Sequence, residues 1–264
     1  DVCSSDLITP QNSKLWIVNY KRHKELIHTI NYWIKSFDFE DVNIISNHSE
    51  LQKNIFPEDI RNKINIFYNW HRHDWMIGSI AQCWNLCMLH TFNDPNKTWV
   101  VMSQDDNIIS KGWDEKINLS NYDTYIAPYG DTIQIFSFET FKKNGWFDER
   151  FRTIGGPEAD YLLRLLRNTP NTISVHDDHV WKMRHNLVGL EKHFYLQDRN
   201  HDILETRKQN VEFSEMECFI RWKEKWNIPI DELFLNKEYD VKCNFPEIDW
   251  YPSFTKYLKN QGRI

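Results

Sequence analysis

Two aspartates interrupt an apolar run in the stretch WVVMSQDDNIIS, residues 99–110. Carboxylates are among the side chains least often buried, and two side by side repel each other. Adjacent residues on a strand point to opposite faces, so Asp105 and Asp106 cannot share one task while the strand stays regular. At a strand end, one can face a ribose or base while the other reaches a divalent cation. A hard cation such as Mg²⁺ or Mn²⁺ takes carboxylate oxygens, keeps positions open for phosphate, and offsets the crowding of the two charges. The plain alternative is a surface turn after a strand. A second acidic pair, Glu158 and Asp160, lies in GGPEADYLLRL, just behind two glycines and a proline. In the first turn of a helix a carboxylate is favoured by ~0.3–1 kcal/mol through the helix's positive end. Here too a plain reading exists, two charges complementing the dipole. His176, His179 and His185, with Asp177 and Asp178 among them, form a third group able to ligate a metal.

Such groups need elements to place them. KLWIVNY (14–20) is short, apolar, β-branched and aromatic, and reads as a buried strand. In residues 23–37, Leu26, Ile27, Ile30, Trp33, Ile34 and Phe37 recur at helical spacing. Strand character returns in 41–49 and 63–69, a helix in 78–92, and a fourth strand in TWVVMSQDD. This alternation predicts an α/β domain with a mostly parallel central sheet flanked by helices on both faces. Ligands of such sheets bind beyond the carboxyl ends of the strands, where Asn19, Asn47, Asn69 and the Asp105/Asp106 pair would gather.

Farther on, 122–128 and 132–141 read as strands and 155–168 as a helix. In that helix Pro157 suits the first turn, and Leu162, Leu163, Leu165 and Leu166 supply a buried face. Residues 172–186 are extended, 214–226 helical, and 244–260 an irregular wrap. One continuous domain over 8–190 is expected, with a helical and irregular extension over 191–264 packed on it. Residues 1–7, DVCSSDL, match a translated sequencing adaptor, as in a reading frame from metagenomic data, and are set aside.

Composition narrows the function. The chain has 264 residues, 41% hydrophobic and 15% aromatic with 12 tryptophans, enough to bury a core. A net charge of -6 argues against nucleic acid, whose phosphates want a basic surface. No apolar run approaches the ~20 residues that span a bilayer. Peripheral membrane association is compatible with this composition. Cys83 and Cys87, four apart in a helical stretch, read as buried thiols. With no CxxC motif, a reducing, cytoplasmic location is expected.

Several of these stretches, in this order, resemble one family. WVVMSQDDNII is similar to the strand and DXD turn of GT-A-fold glycosyltransferases, especially the inverting, family 2-like enzymes, although Gln104 stands where the first Asp of the motif often sits. GSIAQCWNLCMLHT resembles the helix before that strand, with Gly78 at its start and Asn85 seven residues on. Arg72 and Asp74 lie upstream, in the loop that often contacts base or diphosphate. Asn47 falls where the family usually has a nucleoside-binding Asp. NGWFDERF (144–151) resembles the family's GgFDErF turn, and GGPEADYLLRL its acidic helix start. VWKMRH resembles the strand end that carries a histidine ligand, and ECFIRWKEKWNIP a KWG-type helix following the core.

The resemblance, over about residues 14–190, implies a metal-dependent glycosyltransferase using Mn²⁺ or Mg²⁺. Its donor would be a nucleotide sugar of UDP or GDP type, and its acceptor a hydroxyl on a glycan, lipid-linked molecule or protein. Asp106 and His185 would hold the metal, with His176 the rival histidine. Glu158 would be the base of an inverting displacement. Asn19, Asn47, Arg72, Asp74, Asn85, Asp105 and Asp160 would contact substrate, and Arg164 would serve as a structural ion-pair partner. A retaining enzyme of the same fold is an open alternative. So is a sugar-nucleotide nucleotidyltransferase, which normally brings a glycine-rich phosphate loop after its first strand; here NYKRHKEL has no glycine. The last alternative is a non-catalytic glycan-binding protein of the same fold.

Overall fold

The computed structural model describes residues 8–20, 23–37, 39–47, 51–69, 79–105, 107–109, 123–126, 133–152, 156–168, 172–174, 194–196, 218–229 and 241–264. The elements are β1 (Ser13–Asn19), α1 (His23–Phe37), β2 (Val42–Ser46), α2 (Glu58–Arg61), β3 (Ile64–Tyr68), α3 (Ile80–Phe92), β4 (Trp99–Gln104) and β5 (Asn107–Ile109). They continue as β6 (Thr124–Ile126), β7 (Ile133–Ser137), α4 (Phe138–Asn144), α5 (Gly156–Asn168), β8 (Thr172–Ser174), β9 (Phe194–Leu196), α6 (218–226) and α7 (Pro252–Asn260). The expected α/β architecture is present. Seven strands form one sheet in the order β3-β2-β1-β4-β7-β6-β8, and within it only β7 runs against its neighbours. β5 and β9 pair antiparallel in a separate ribbon.

Strand alternation divides the core between the two faces of the sheet. Leu15 and Ile17 of β1 join Leu26, Ile30 and Trp33 of α1 on one side. Trp16 and Val18 join Ile80, Trp84, Cys87 and Met88 of α3 on the other. Strands covered on both sides carry near-continuous apolar runs, and this is why β1, β2 and β4 read so clearly. Cys83 and Cys87 are buried free thiols. No helix among the described residues is long and apolar enough to cross a membrane.

Two segments depart from the expectation. The run TIQIFSFETF, read as strand to residue 141, is strand only to Ser137. There Ser137 Oγ accepts the amide of Thr140 at 3.0 Å and caps α4, a local bond that outweighs the strand preference of the phenylalanines. Gly145, at φ 66°, ends α4 in a conformation that costs a glycine little. The stretch 244–260, expected to be irregular, contains α7. Pro252 starts it, and Phe254 and Leu258, one turn apart, join the core cluster of Trp146 and Phe138.

Candidate functional site at the strand ends

The carboxyl ends of β1, β2 and β3 are each marked by an asparagine, and all three are buried. The backbone ladder reaches them: Asn47 N donates to Asn19 O at 2.9 Å, and Asn69 N to Ser46 O at 2.9 Å. The side chains are linked as well. Asn69 Nδ2 donates to Asn47 Oδ1 at 3.0 Å and lies 3.5 Å from Cys83 Sγ of α3.

Asp105, one residue past β4, is turned inward. Its Oδ2 accepts Asn19 Nδ2 at 2.7 Å and Tyr20 N at 2.7 Å, and its carbonyl accepts Thr29 Oγ1 at 3.1 Å. It ties the end of β4 to the β1–α1 connection. A carboxylate oxygen can only accept, so the Asn19 amide must present Nδ2 to it. That fixes Asn19 Oδ1 as a buried acceptor, and among the described residues it has no hydrogen-bond partner. His23 Nε2, at the opening of α1, is also buried without a partner among the described residues. A buried acceptor left unpaired costs about 1–3 kcal/mol, and a ligand donor relieves that cost. The sequence reading singled out Asn19 but passed over His23, whose only signal is its place at the β1–α1 junction.

Glu158 lies in the first turn of α5 at 6% exposure, and its Oε1 accepts Trp84 Nε1 at 3.1 Å. One turn of α3 therefore stands between the asparagine rim and this acid, with Cys83 against Asn69 and Trp84 against Glu158. Ser79 N donates to Arg152 O at 3.1 Å, which brings the approach to α5 alongside the start of α3.

Two residues expected at the substrate are occupied elsewhere. Asn85 is fully buried. Its Nδ2 donates to Phe147 O (3.0 Å) and Glu149 Oε1 (2.9 Å), while its Oδ1 accepts Phe147 N (2.8 Å). Its amide is used in holding the turn 147–149 to α3. Asn85→Ala is expected to lower stability by about 1–3 kcal/mol by stranding these buried groups, measured by urea unfolding. A loss below 0.5 kcal/mol would refute this structural role.

Asp160 is likewise inaccessible, at 0% exposure. Its Oδ1 takes Lys225 Nζ at 2.6 Å and Trp226 Nε1 at 2.9 Å, and its Oδ2 takes Arg164 Nε at 3.1 Å. Arg164 also donates to the carbonyls of Asn144 and Trp146, so its expected structural role is met. Lys225 bridges onward to Asp148 Oδ2 at 2.8 Å. Burial by itself would raise the Asp148 carboxyl, but the hydrogen bonds of Arg150 and the charge of Lys225 outweigh it and hold it at about 2. Burial would likewise lower Arg164, and Asp160 reverses this, so its guanidinium is raised.

A cavity of about 280 Å³ opens beside this cluster, walled by Trp146, Arg164, Lys225, Glu247, Asp249 and Trp250. It includes no rim residue. Its wall on α5 lies six residues beyond Glu158, about 9 Å along the helix axis. Arg72, Asp74, Asp106, His176, His179 and His185 fall outside the described residues. Among the described residues, no group of three His, Cys, Asp or Glu side chains comes together to hold a metal ion.

No family model matches the chain, and no curated protein matches it. Among solved structures it is similar to the catalytic domain of Drosophila β1,4-galactosyltransferase 7 in complex with xylobiose, at 13% identity and TM-score 0.42 over 74% of this chain and 79% of that one. A mutant of that enzyme with manganese, UDP-Gal and xylobiose gives 12% identity and TM-score 0.45 over the same shares. A glucose-1-phosphate thymidylyltransferase from Bacillus anthracis gives 14% and 0.40, over 61% of this chain and 85% of that one. At these scores the likeness assigns no residue a role.

Proposed function

We propose that the protein is a glycosyltransferase that moves a sugar from a nucleotide-sugar donor to an acceptor hydroxyl, using Glu158 as the base. The observation that carries this reading is a buried carboxylate in the first turn of a helix, one turn of α3 away from a polar rim at the ends of a parallel sheet. Inverting transfer needs one carboxylate to take the acceptor proton as the hydroxyl attacks C1 of the donor. Trp84 Nε1, donating to Oε1, holds the carboxyl group in one orientation. The shielding that buries Glu158 also limits the water able to compete with the acceptor. Asn19 Oδ1 offers a preset acceptor for a donor hydroxyl or base N–H, and Asp105 holds the amide in place for it.

A divalent cation, Mn²⁺ or Mg²⁺, would be held by Asp106 with His185, and would neutralise the leaving diphosphate. Opposing the nucleotidyltransferase reading is the short first connection. β1 ends at Asn19 and α1 begins at His23, so three residues join them and a glycine-rich phosphate loop has no room. In this proposal residues 8–190 carry the transfer and the extension braces them.

A thermal-shift screen of UDP, GDP, CMP and dTDP sugars, with and without Mn²⁺, tests the reading. A nucleotide at a hundredfold excess over its Kd stabilises the folded state by about 2.7 kcal/mol. The expected result is a Mn²⁺-dependent rise in Tm for one nucleotide class. No shift with any of them would remove the donor site from the account.

A further inference from the structure

We infer that Lys225 and Trp226, on α6, are positioning residues for Glu158, an inference that rests on reading Glu158 as the base. α5 is drawn from two sides by residues two apart. Successive helical residues are separated by about 100°, so Glu158 and Asp160 face nearly opposite directions. Glu158 is held toward α3 by Trp84 at 3.1 Å, and Asp160 toward α6 by Trp226 at 2.9 Å and Lys225 at 2.6 Å. Opposed bonds of this kind fix the rotation of α5 about its own axis, and with it the direction of the Glu158 carboxyl.

These links close into a ring. Lys225 reaches Asp148 at 2.8 Å. The neighbours of Asp148, Phe147 and Glu149, are pinned by Asn85 of α3. Asn85 adjoins Trp84, which holds Glu158. α6 also meets the start of α5 directly, since a Cβ on Gly156 would lie 2.7 Å from Cys218 Sγ and 2.8 Å from Phe151. Glycine at 156 permits that close approach, so α5 is set against α6 at its first residue, Gly156, and again about one turn on at Asp160. A brace that served stability alone could be apolar. A charge shared between two acids fixes one geometry, as buried polar groups do in some systems.

The experiment is ¹H–¹⁵N spectroscopy of the tryptophan indoles, with the Trp84 resonance assigned from Trp84→Phe, comparing wild type with Trp226→Phe and Lys225→Met. Trp226→Phe removes one donor to Asp160 and keeps an aromatic ring there, so it decides the matter if Lys225→Met does not fold. The expected result is a displaced Trp84 indole resonance in the folded variants. With the nucleotide-sugar panel above, kcat should fall about 10- to 100-fold at little-changed donor KM, as a misplaced catalytic group predicts. A Trp84 resonance and a kcat equal to wild type in fully folded variants would overturn the inference. Glu158→Gln separates it from the reading it rests on. If that variant retains transfer, the base assignment fails, whereas an inactive Glu158→Gln beside wild-type brace variants leaves only the positioning role refuted.

Discussion

Lys225→Met is expected to lower folding stability by about 3–5 kcal/mol, the usual cost of removing one partner from a buried ion pair. The ammonium is 2% exposed and lies 2.8 Å from Asp148 and 2.6 Å from Asp160. Without it, two buried carboxylates share two arginines, and one of these, Arg150, is partly in solvent. The effect has a pH signature. Asp148 is held at about 2 against an ordinary 3.8. A depressed carboxyl contributes stability above its unfolded value and loses it as the pH falls through the folded one. The whole shift, set by Arg150 as well as Lys225, corresponds to about 2 kcal/mol, of which the Lys225 share is lost in the variant. The gap between wild type and Lys225→Met should therefore be full at neutral pH and narrow as the pH falls from about 4 to about 2. Urea unfolding at both ends of that window measures it. A gap under 1 kcal/mol at pH 7 would contradict the role given to the cluster.

Glu158→Gln should reduce kcat by about 10²–10⁴-fold, the span that general-base catalysis supplies. Glutamine matches glutamate in size, and its amide oxygen can still accept from Trp84 Nε1, so the local packing around α3 and α5 is kept. What is lost is the ability to take the acceptor proton. The nucleotide-induced thermal shift should stay within error of wild type, because the donor contacts assigned to the strand-end rim do not involve this side chain. If kcat is unchanged while the shift persists, the base lies elsewhere.

Much of the frame was legible because covered parallel strands and amphipathic helices leave strong periodicities. α1 spans the 23–37 read from Leu26, Ile30 and Trp33, and the strand-end asparagines stand where the pattern placed them. What was misread turned on bonds that no period reveals. α4 begins where one serine side chain captures one amide. α7 hid behind a proline in an aromatic stretch. Within the site, Glu158 and Asp160 were both expected at the substrate, one as base and one as a contact. Their helical phase and a lysine 65 positions along the chain give one to the α3 face and seal the other in the interior. The bonds of Asn85 were hidden for the same reason, since its partners in the 147–149 turn lie 62 and 64 residues away. Spacing identified the groups able to do chemistry, but only tertiary contacts divide those facing a ligand from those holding the fold.

Sugar transfer and nucleotidyl transfer break different bonds of the donor. The most direct measurement is ³¹P and ¹H NMR of the stabilising nucleotide sugar incubated with the protein and Mn²⁺, following both phosphorus atoms and the anomeric proton. Transfer predicts release of the nucleoside diphosphate with cleavage at C1, and an inverted anomeric configuration in the product when acceptor is supplied. An intact donor, or cleavage between the phosphates on adding pyrophosphate to give a sugar phosphate and a nucleoside triphosphate, would contradict it.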